Sequence, residues 1–349
     1  MPVMAVDFWG DACVTVPWAL YRATGDTAML AELYPTMKRY VRACKFWAGI
    51  GFGKKRYIWH TPAVLHFGDW VCPDLPKMSQ WQKRSRWTAT ASLYRTSSLL
   101  SRIARILGDE KEAERQSAYA KKVADAYVSV FTDGEGKLKS EFQTAYVLPL
   151  YFGMFPESQR KAAADNLARL AEENGWRIGT GFPGTPYILF ALADNGRADA
   201  AYNMLMCEEC PSWLYEVKAG GTTIWERWDA ISPSGGNTGA GDGTGGMVSF
   251  NHYASGAVGD FFYRRIAGIE PNEAGYKAFT VRPVTGGGLT SASAELATPY
   301  GKIKSEWTKS EKTFTLRVSV PVSIECTVVL PSGRTEKTGS GEYVFTEES

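Results

Sequence analysis

The hydrophobic period of this chain changes once, near residue 268, and that change restricts the fold more than any other feature. In "SLLSRIARILGD" Leu99, Ile103, Ile106 and Leu107 recur at helical spacing, and Gly108 closes the run. "DEKEAERQSAYAKKVADAYVSVF" follows with Ala118, Val123, Tyr127 and Val130, so the spacing predicts two antiparallel neighbours. Similar patterns predict helices near 12–22, 28–48, 141–153, 157–174, 184–206 and 248–267, joined by loops rich in Gly and Pro. After Gly268, "KTFTLRVSV" alternates Phe314, Leu316, Val318 and Val320 with polar neighbours, while "IECTVVLPSGR" and "GEYVF" are short strands bounded by turns. The expected fold is mainly α with a β tail: a helical toroid or bundle over residues 1–268, then a small antiparallel β-sandwich over 269–349.

Such a chain can bury a sizeable core, since it has 349 residues of which 44% are hydrophobic. With 39 basic and 37 acidic residues and no basic stripe, nothing favours a phosphate backbone or an anionic membrane, so neither nucleic acid nor membrane is an expected partner. A neutral substrate suits this balance. The 12 Trp, 17 Tyr and 16 Phe supply flat faces that stack on sugar rings as well as filling cores. Six scattered cysteines make no disulfide framework. Cys207 and Cys210 form "CEEC", yet no second pair stands at zinc-site spacing, so no metal and no cofactor is expected. The first residues, "MPVMAVDFWGDA", have no signal-peptide pattern, and no apolar run reaches spanning length; the chain as encoded is expected to stay in the cytoplasm.

Five loops hold most of the chemically suggestive residues: "FWGDA" (8–12), "HFGDWVCPD" (66–74), "GTGFPGT" (179–185), "GTTIWERWDA" (221–230) and "SFNHY" (249–253). In a helical toroid such loops gather at one mouth, and loops on a rigid scaffold are where binding residues concentrate. In the fourth of them Glu226 is either a structural carboxylate paired with Arg227 or the working carboxylate of a site walled by Trp225 and Trp228. The two tryptophans would hold it in a partly dry setting that favours a base.

Six segments in order, "FWGDACVTVPWALYRATGD", "FGDW", "TGFPGTPYILFALADNGRADAAYNML", "PSWLYEVKAGGTTIWERWD", "VSFNHYASGAVGDFFYRRIAGI" and "GYKAFTVRPVTGGGLTSASAEL", resemble the bacterial α-L-rhamnosidases of glycoside hydrolase family 78. The resemblance covers nearly the whole chain. It implies a six-hairpin (α/α)6 barrel followed by a β-sandwich, and hydrolysis of terminal α-L-rhamnose with inversion at the anomeric carbon. Glu226 would be the general base, in the family's "TTxWE" segment. Asp11 and Asp69 would accept hydrogen bonds from sugar hydroxyls, Trp9, Trp70 and Trp228 would wall the pocket, and His252 would reach a hydroxyl near the base. The residues alone leave alternatives open: Trp9 and Trp70 as core aromatics, Asp11 or Asp69 as helix caps, and His252 as a satisfied core histidine.

The run "GDGTGG" at 241–246 satisfies G-x-G-x-x-G, but no strand precedes it as a dinucleotide site requires, so it is expected to be a mobile loop beside the pocket. Upstream of "WGDA" the family carries a D-C-P-x-R-x-E motif whose glutamate is the general acid, and these 349 residues contain no such run. The acid is therefore expected upstream of Met1, with the barrel incomplete at its N-terminus and association with another chain covering its open edge. Asp11, Asp69 and Glu141 are the carboxylates that could substitute. Three functions stay open: a rhamnosidase acting on a rhamnose-containing glycoside or polysaccharide, weakly or only with a complementing chain; a catalytically dead fragment that at most binds sugar; and another hydrolase or lyase on a helical toroid, acting on uronate-containing glycans.

Overall fold

The structure, a computed structural model, describes residues 4–50, 56–60, 66–231 and 248–348. Two compact units form, one of residues 1–15 with 33–257 and the other of 16–32 with 258–349. Helices α1 (Ala12–Thr24) and α2 (Thr27–Ala48) contribute to both. The first unit continues through α3 (Met78–Lys83), α4 (Ser85–Ile106), α5 (Glu110–Phe131), α6 (Gln143–Phe152), α7 (Glu157–Glu173), α8 (Ile188–Ala193), α9 (Ala198–Leu205), α10 (Trp213–Lys218) and α11 (Tyr253–Gly256). None of these helices is long and apolar enough to cross a membrane.

The hairpin of α4 and α5 shows how sequence sets this packing. Gly108 takes a left-handed φ of 79° that ends α4, and the Asp109 carboxylate accepts the Glu112 amide at 3.2 Å to start α5. The buried stripe of α5 is Ala113, Gln116, Ala120, Val123, Tyr127 and Phe131, whereas Ala118 is exposed and Val130 half-buried, against expectation. A polar residue explains the offset: Gln116 enters the stripe because its Nε2 donates to Glu112 Oε1 at 2.6 Å. On α4, Leu99, Leu100, Ile103 and Ala104 are buried and Ile106 is exposed. The single helix expected over 184–206 is divided into a 3₁₀ turn (Thr185–Tyr187), α8 and α9, with Gly196 at φ 84° in the break.

The second unit contains α12 (Val258–Phe261), a π-helical turn (Phe262–Ile266) and eight strands. These are β1 (Ile269–Pro271), β2 (Ala278–Val281), β3 (Ser291–Thr298), β4 (Gly301–Lys309), β5 (Thr313–Val320), β6 (Glu325–Val329), β7 (Thr335–Thr338) and β8 (Gly341–Glu348). They form two four-stranded sheets, ordered β1-β2-β6-β7 and β3-β4-β5-β8. One pair, β2 with β6, is parallel; every other is antiparallel. Phe314, Leu316, Val318 and Val320 alternate inward as the period of two requires, beside buried Phe279, Ile303, Trp307 and Val328. Trp307 Nε1 donates to the Ile266 carbonyl at 2.8 Å and Ser305 Oγ to that of Ala267 at 2.7 Å, tying the sheet to the π-helical turn. Arg22, on α1, donates to the Pro271 carbonyl at 2.9 Å, which accounts for residues 16–32 grouping with the strands.

Candidate active site

Glu226 lies on an irregular segment of bends and turns after α10, and residues 249–252 run beside it. Its amide donates to the Ser249 carbonyl at 2.8 Å, and Ser249's amide donates back to Glu226 Oε2 at 2.8 Å. The His252 amide donates to the Ile224 carbonyl at 2.8 Å, and Thr223 Oγ1 donates to the Phe250 carbonyl. Glu226 is 9% exposed, and among the described residues its Oε1 accepts no hydrogen bond. Arg227 turns to Asp229, Nε to Oδ1 at 3.3 Å, and among the described residues that is its ion pair, not Glu226. Trp225 and Trp228 are both buried. Trp228 stands edge-on to Trp213 at 5.5 Å and 89°, which leaves little of its ring exposed.

His252 is half-buried beside this carboxylate. Its ring stacks on Phe182 at 4.3 Å and 26°, and its Nδ1 accepts the Ala254 amide at 3.3 Å. An accepting Nδ1 leaves Nε2 to carry the proton of the neutral ring. Burial holds the imidazole pKa below its ordinary value, while the charge of Glu226 pulls it upward. Glu226 and His252 therefore feel each other directly.

From His252 an arc of aromatic contacts leads back to the N-terminal loop. The Phe182 amide donates to the Trp70 carbonyl at 2.9 Å; Trp70 meets Phe67 edge-on at 5.1 Å; Phe67 meets Trp9 at 4.4 Å. Trp9 is 37% exposed and Trp70 half-buried, so both have face left for a ligand. Phe8 and Val71, next to these tryptophans, take left-handed φ values of 56° and 57°. Such backbone strain in an apolar residue, sharpest for β-branched Val, is characteristic of functional loops. The loops are pinned by a buried set unseen in the sequence: Asp7 contacts His66 Nδ1 at 3.0 Å and accepts Thr88 Oγ1 at 2.7 Å.

Asp11 and Asp69 are nearer the core than expected. Asp69 is fully buried: Oδ1 accepts Thr144 Oγ1 at 2.7 Å and the Gly181 amide at 2.9 Å, and Oδ2 accepts Arg84 at 3.0 Å. Asp11, 1% exposed, accepts the Tyr40 hydroxyl at 2.9 Å and Ser92 Oγ at 2.8 Å. Both bind side chains from other helices, so neither is a simple cap. Burial pushes each carboxyl up to about 6, against the lowering by Ser92 for Asp11 and by Arg84 for Asp69. Both carboxylates are buried and already bonded inside the protein, a stricter setting for a sugar hydroxyl than the expected role implied.

Glu141 pairs with Arg169 and accepts the Tyr146 hydroxyl at 3.0 Å. Cys207 and Cys210 are both free, and burial pushes the Cys210 thiol up to about 12, far from a reactive thiolate. Among the described residues no group of three or more His, Cys, Asp or Glu side chains could hold a metal ion. The glycine-rich run 241–246 lies outside the described residues.

Helical hairpins whose loops gather a carboxylate, a histidine and an aromatic arc, followed in sequence by two small sheets, place the chain in the class of six-hairpin glycosidase domains. Residues 2–266 match the bacterial alpha-L-rhamnosidase 6 hairpin glycosidase domain, and residues 268–345 match the bacterial alpha-L-rhamnosidase C-terminal domain. The chain belongs to the bacterial α-L-rhamnosidase family. It is 38% identical over 335 residues to an α-L-rhamnosidase of Streptomyces avermitilis and 35% identical over 330 residues to one of Formosa agariphila. Each match covers 94% of this chain but only 30% and 34% of the respective relative, so the chain spans about a third of their length. Among solved structures it superposes on an α-L-rhamnosidase of Aspergillus terreus with a TM-score of 0.88 and 33% identity, covering 98% of this chain and 39% of that one. The Streptomyces avermitilis α-L-rhamnosidase complexed with L-rhamnose gives 0.87 and 36%, covering 98% of this chain and 33% of that one.

Proposed function

We propose that this chain carries the base-bearing part of an inverting α-L-rhamnosidase site, with Glu226 as general base and terminal α-L-rhamnose as the sugar bound. The observation that carries the reading is the half-anchored Glu226 carboxylate: Oε2 is fixed by the Ser249 amide while Oε1 has no described partner. One fixed oxygen sets the orientation of the other, as a base needs in order to take a proton from a water attacking the anomeric carbon. His252, neutral with its proton on Nε2, donates to a sugar hydroxyl beside that water. Trp9 and Trp70 offer apolar faces to the ring, and Phe182 keeps Trp70 and His252 in register. Asp11 and Asp69 fix the helices behind the loops and exchange partners when a hydroxyl enters.

Inverting hydrolysis needs a second carboxyl group roughly 6.5–9.5 Å from the first to protonate the leaving oxygen. The resemblance assigns that acid to a motif with no counterpart in these 349 residues. Protonation of the leaving group is typically worth about 10²–10⁴-fold in rate. The chain alone should thus hydrolyse an aryl α-L-rhamnoside with a good leaving group, such as the 4-nitrophenyl glycoside, far better than a flavonoid rhamnoside. Equal rates on the two substrates would show that an acid is present in the chain and that its assignment here is wrong. The absence of that motif also supports a second reading, sugar binding without turnover. L-rhamnose binding by calorimetry with no nitrophenol release would select it.

A further inference from the structure

The Glu226 segment is bonded along one edge by residues 249–252, but the amide of Trp225 faces the other way. It donates to Glu216 Oε2 at 3.0 Å. Glu216 sits on α10 and is 1% exposed, and among the described residues its Oε1 has no hydrogen-bond partner. Nothing in the rhamnosidase reading uses it. A carboxyl group is an expensive choice for holding one amide, because burying it without full pairing disfavours the folded state.

Its setting explains what it holds. Helix α10 begins at Ser212, whose Oγ accepts the Tyr215 amide at 3.2 Å, and buried Trp213 anchors the helix by donating Nε1 to the Ser255 carbonyl at 3.0 Å. The Glu216 carbonyl accepts the Gly221 amide at 2.9 Å, closing the turn that leads into the Glu226 segment. Ile224 and Glu226 are thus bonded on one side by His252 and Ser249, and Trp225 on the other by Glu216. The segment is held from both edges. Without Glu216 the Trp225 amide would be buried and unpaired, and the backbone would be free to rotate next to the carboxylate that Ser249 orients.

We infer that Glu216 is a positioning residue for Glu226, fixing from α10 the backbone on which the base is carried; this rests on the reading of Glu226 as the base. The test compares Glu216→Gln, which keeps an acceptor for the Trp225 amide, with Glu216→Met, which has similar length and none. Crystal structures and amide hydrogen exchange on the whole chain come first, because they need no activity. Glu216→Met is expected to move Glu226 off the Ser249 amide and to speed exchange at Trp225 by about tenfold or more, and Glu216→Gln to restore both. Kinetics on the 4-nitrophenyl rhamnoside then read function: for Glu216→Met, kcat falls roughly 10- to 100-fold with KM within about twofold, and Glu216→Gln recovers most of the loss.

An unmoved Glu226 with slow Trp225 exchange in Glu216→Met overturns the inference. So does a shifted segment with unchanged kcat. If the parent protein is inert on every rhamnoside, the rhamnosidase reading fails while the crystallographic and exchange results still decide whether Glu216 positions Glu226. Should Glu216→Met not fold, the parent's Trp225 amide decides: protection comparable to the α4 core supports the inference, and free exchange refutes it.

Discussion

Glu226 and Ser249 hold each other reciprocally, each amide donating at 2.8 Å, one to a carbonyl and the other to the Glu226 carboxylate. The arrangement fixes both the backbone and the side chain of the proposed base by one neighbour, and it leaves Arg227 to pair with Asp229. A carboxylate meant only to neutralise an arginine would have taken the adjacent one.

The proximity of Glu226 to His252 gives a prediction independent of activity. The negative charge of Glu226 raises the imidazole pKa against the lowering by burial, so Glu226→Gln should lower it further. Titration of the His252 ring by NMR checks this. A pKa that stays put or rises in Glu226→Gln would separate the two groups.

Glu216 gives a prediction in stability against pH. Burial raises its carboxyl from 4.5 to about 8, so in the unfolded chain it ionises first, and the folded state holds the extra proton. Stability from this group is full below about 4.5 and is lost as pH rises through about 8. Glu216→Gln cannot ionise, so its thermal midpoint relative to the parent should climb between pH 5 and 8. A constant difference across that range would show that Glu216 is not buried as described.

The tryptophans should separate by burial. Trp228→Ala removes a 5%-exposed ring from the core and should destabilise by about 3–5 kcal/mol in chemical denaturation. Trp9→Ala, at 37% exposure, should cost under about 1.5 kcal/mol yet weaken L-rhamnose binding several-fold. The opposite ranking would put Trp228 on the pocket wall after all.

Asp69 is the densest polar junction of the site, its two carboxylate oxygens accepting three hydrogen bonds, from Thr144, Gly181 and Arg84. Asp69→Ala removes one of the two carboxylates that pair with the Arg84 guanidinium among the described residues, leaving Asp74, and orphans the Thr144 hydroxyl and the Gly181 amide. The expected loss is about 3–5 kcal/mol in denaturant unfolding, as for other broken buried pairs. A loss under about 1 kcal/mol would mean that the Gly181 loop is held by other contacts.

Much of this was legible in the sequence because it depends on period and spacing. The inward alternation of Phe314 to Val320 and the α4 and α5 hairpin follow from local pattern. The stripe of α5 was misplaced because Gln116 reads as a surface residue until its bond to Glu112 is seen. Helix α3 and α10 are six residues each, too short for a periodic signal. The loops of the site were legible as motifs, but their partners were not: Phe182 and Asp7 with His66 act through contacts between residues far apart in the chain, and Glu216 through a turn without a periodic signal. Burial was the other blind spot. Asp11, Asp69 and Trp228 are motif residues whose places inside the protein depend on neighbours such as Ser92, Thr144 and Trp213, which no local pattern announces.

The most direct test of Glu226 as base is the rate of 4-nitrophenol release from 4-nitrophenyl α-L-rhamnoside by the parent chain and by Glu226→Gln, with thermal midpoint and L-rhamnose affinity measured on both. The substitution keeps the side chain's size and its acceptor for the Ser249 amide while removing the base. Release should fall by about 10²-fold or more in Glu226→Gln, with folding and rhamnose binding retained. Equal release by the two proteins would contradict the assignment and leave Glu226 as a structural partner of Ser249.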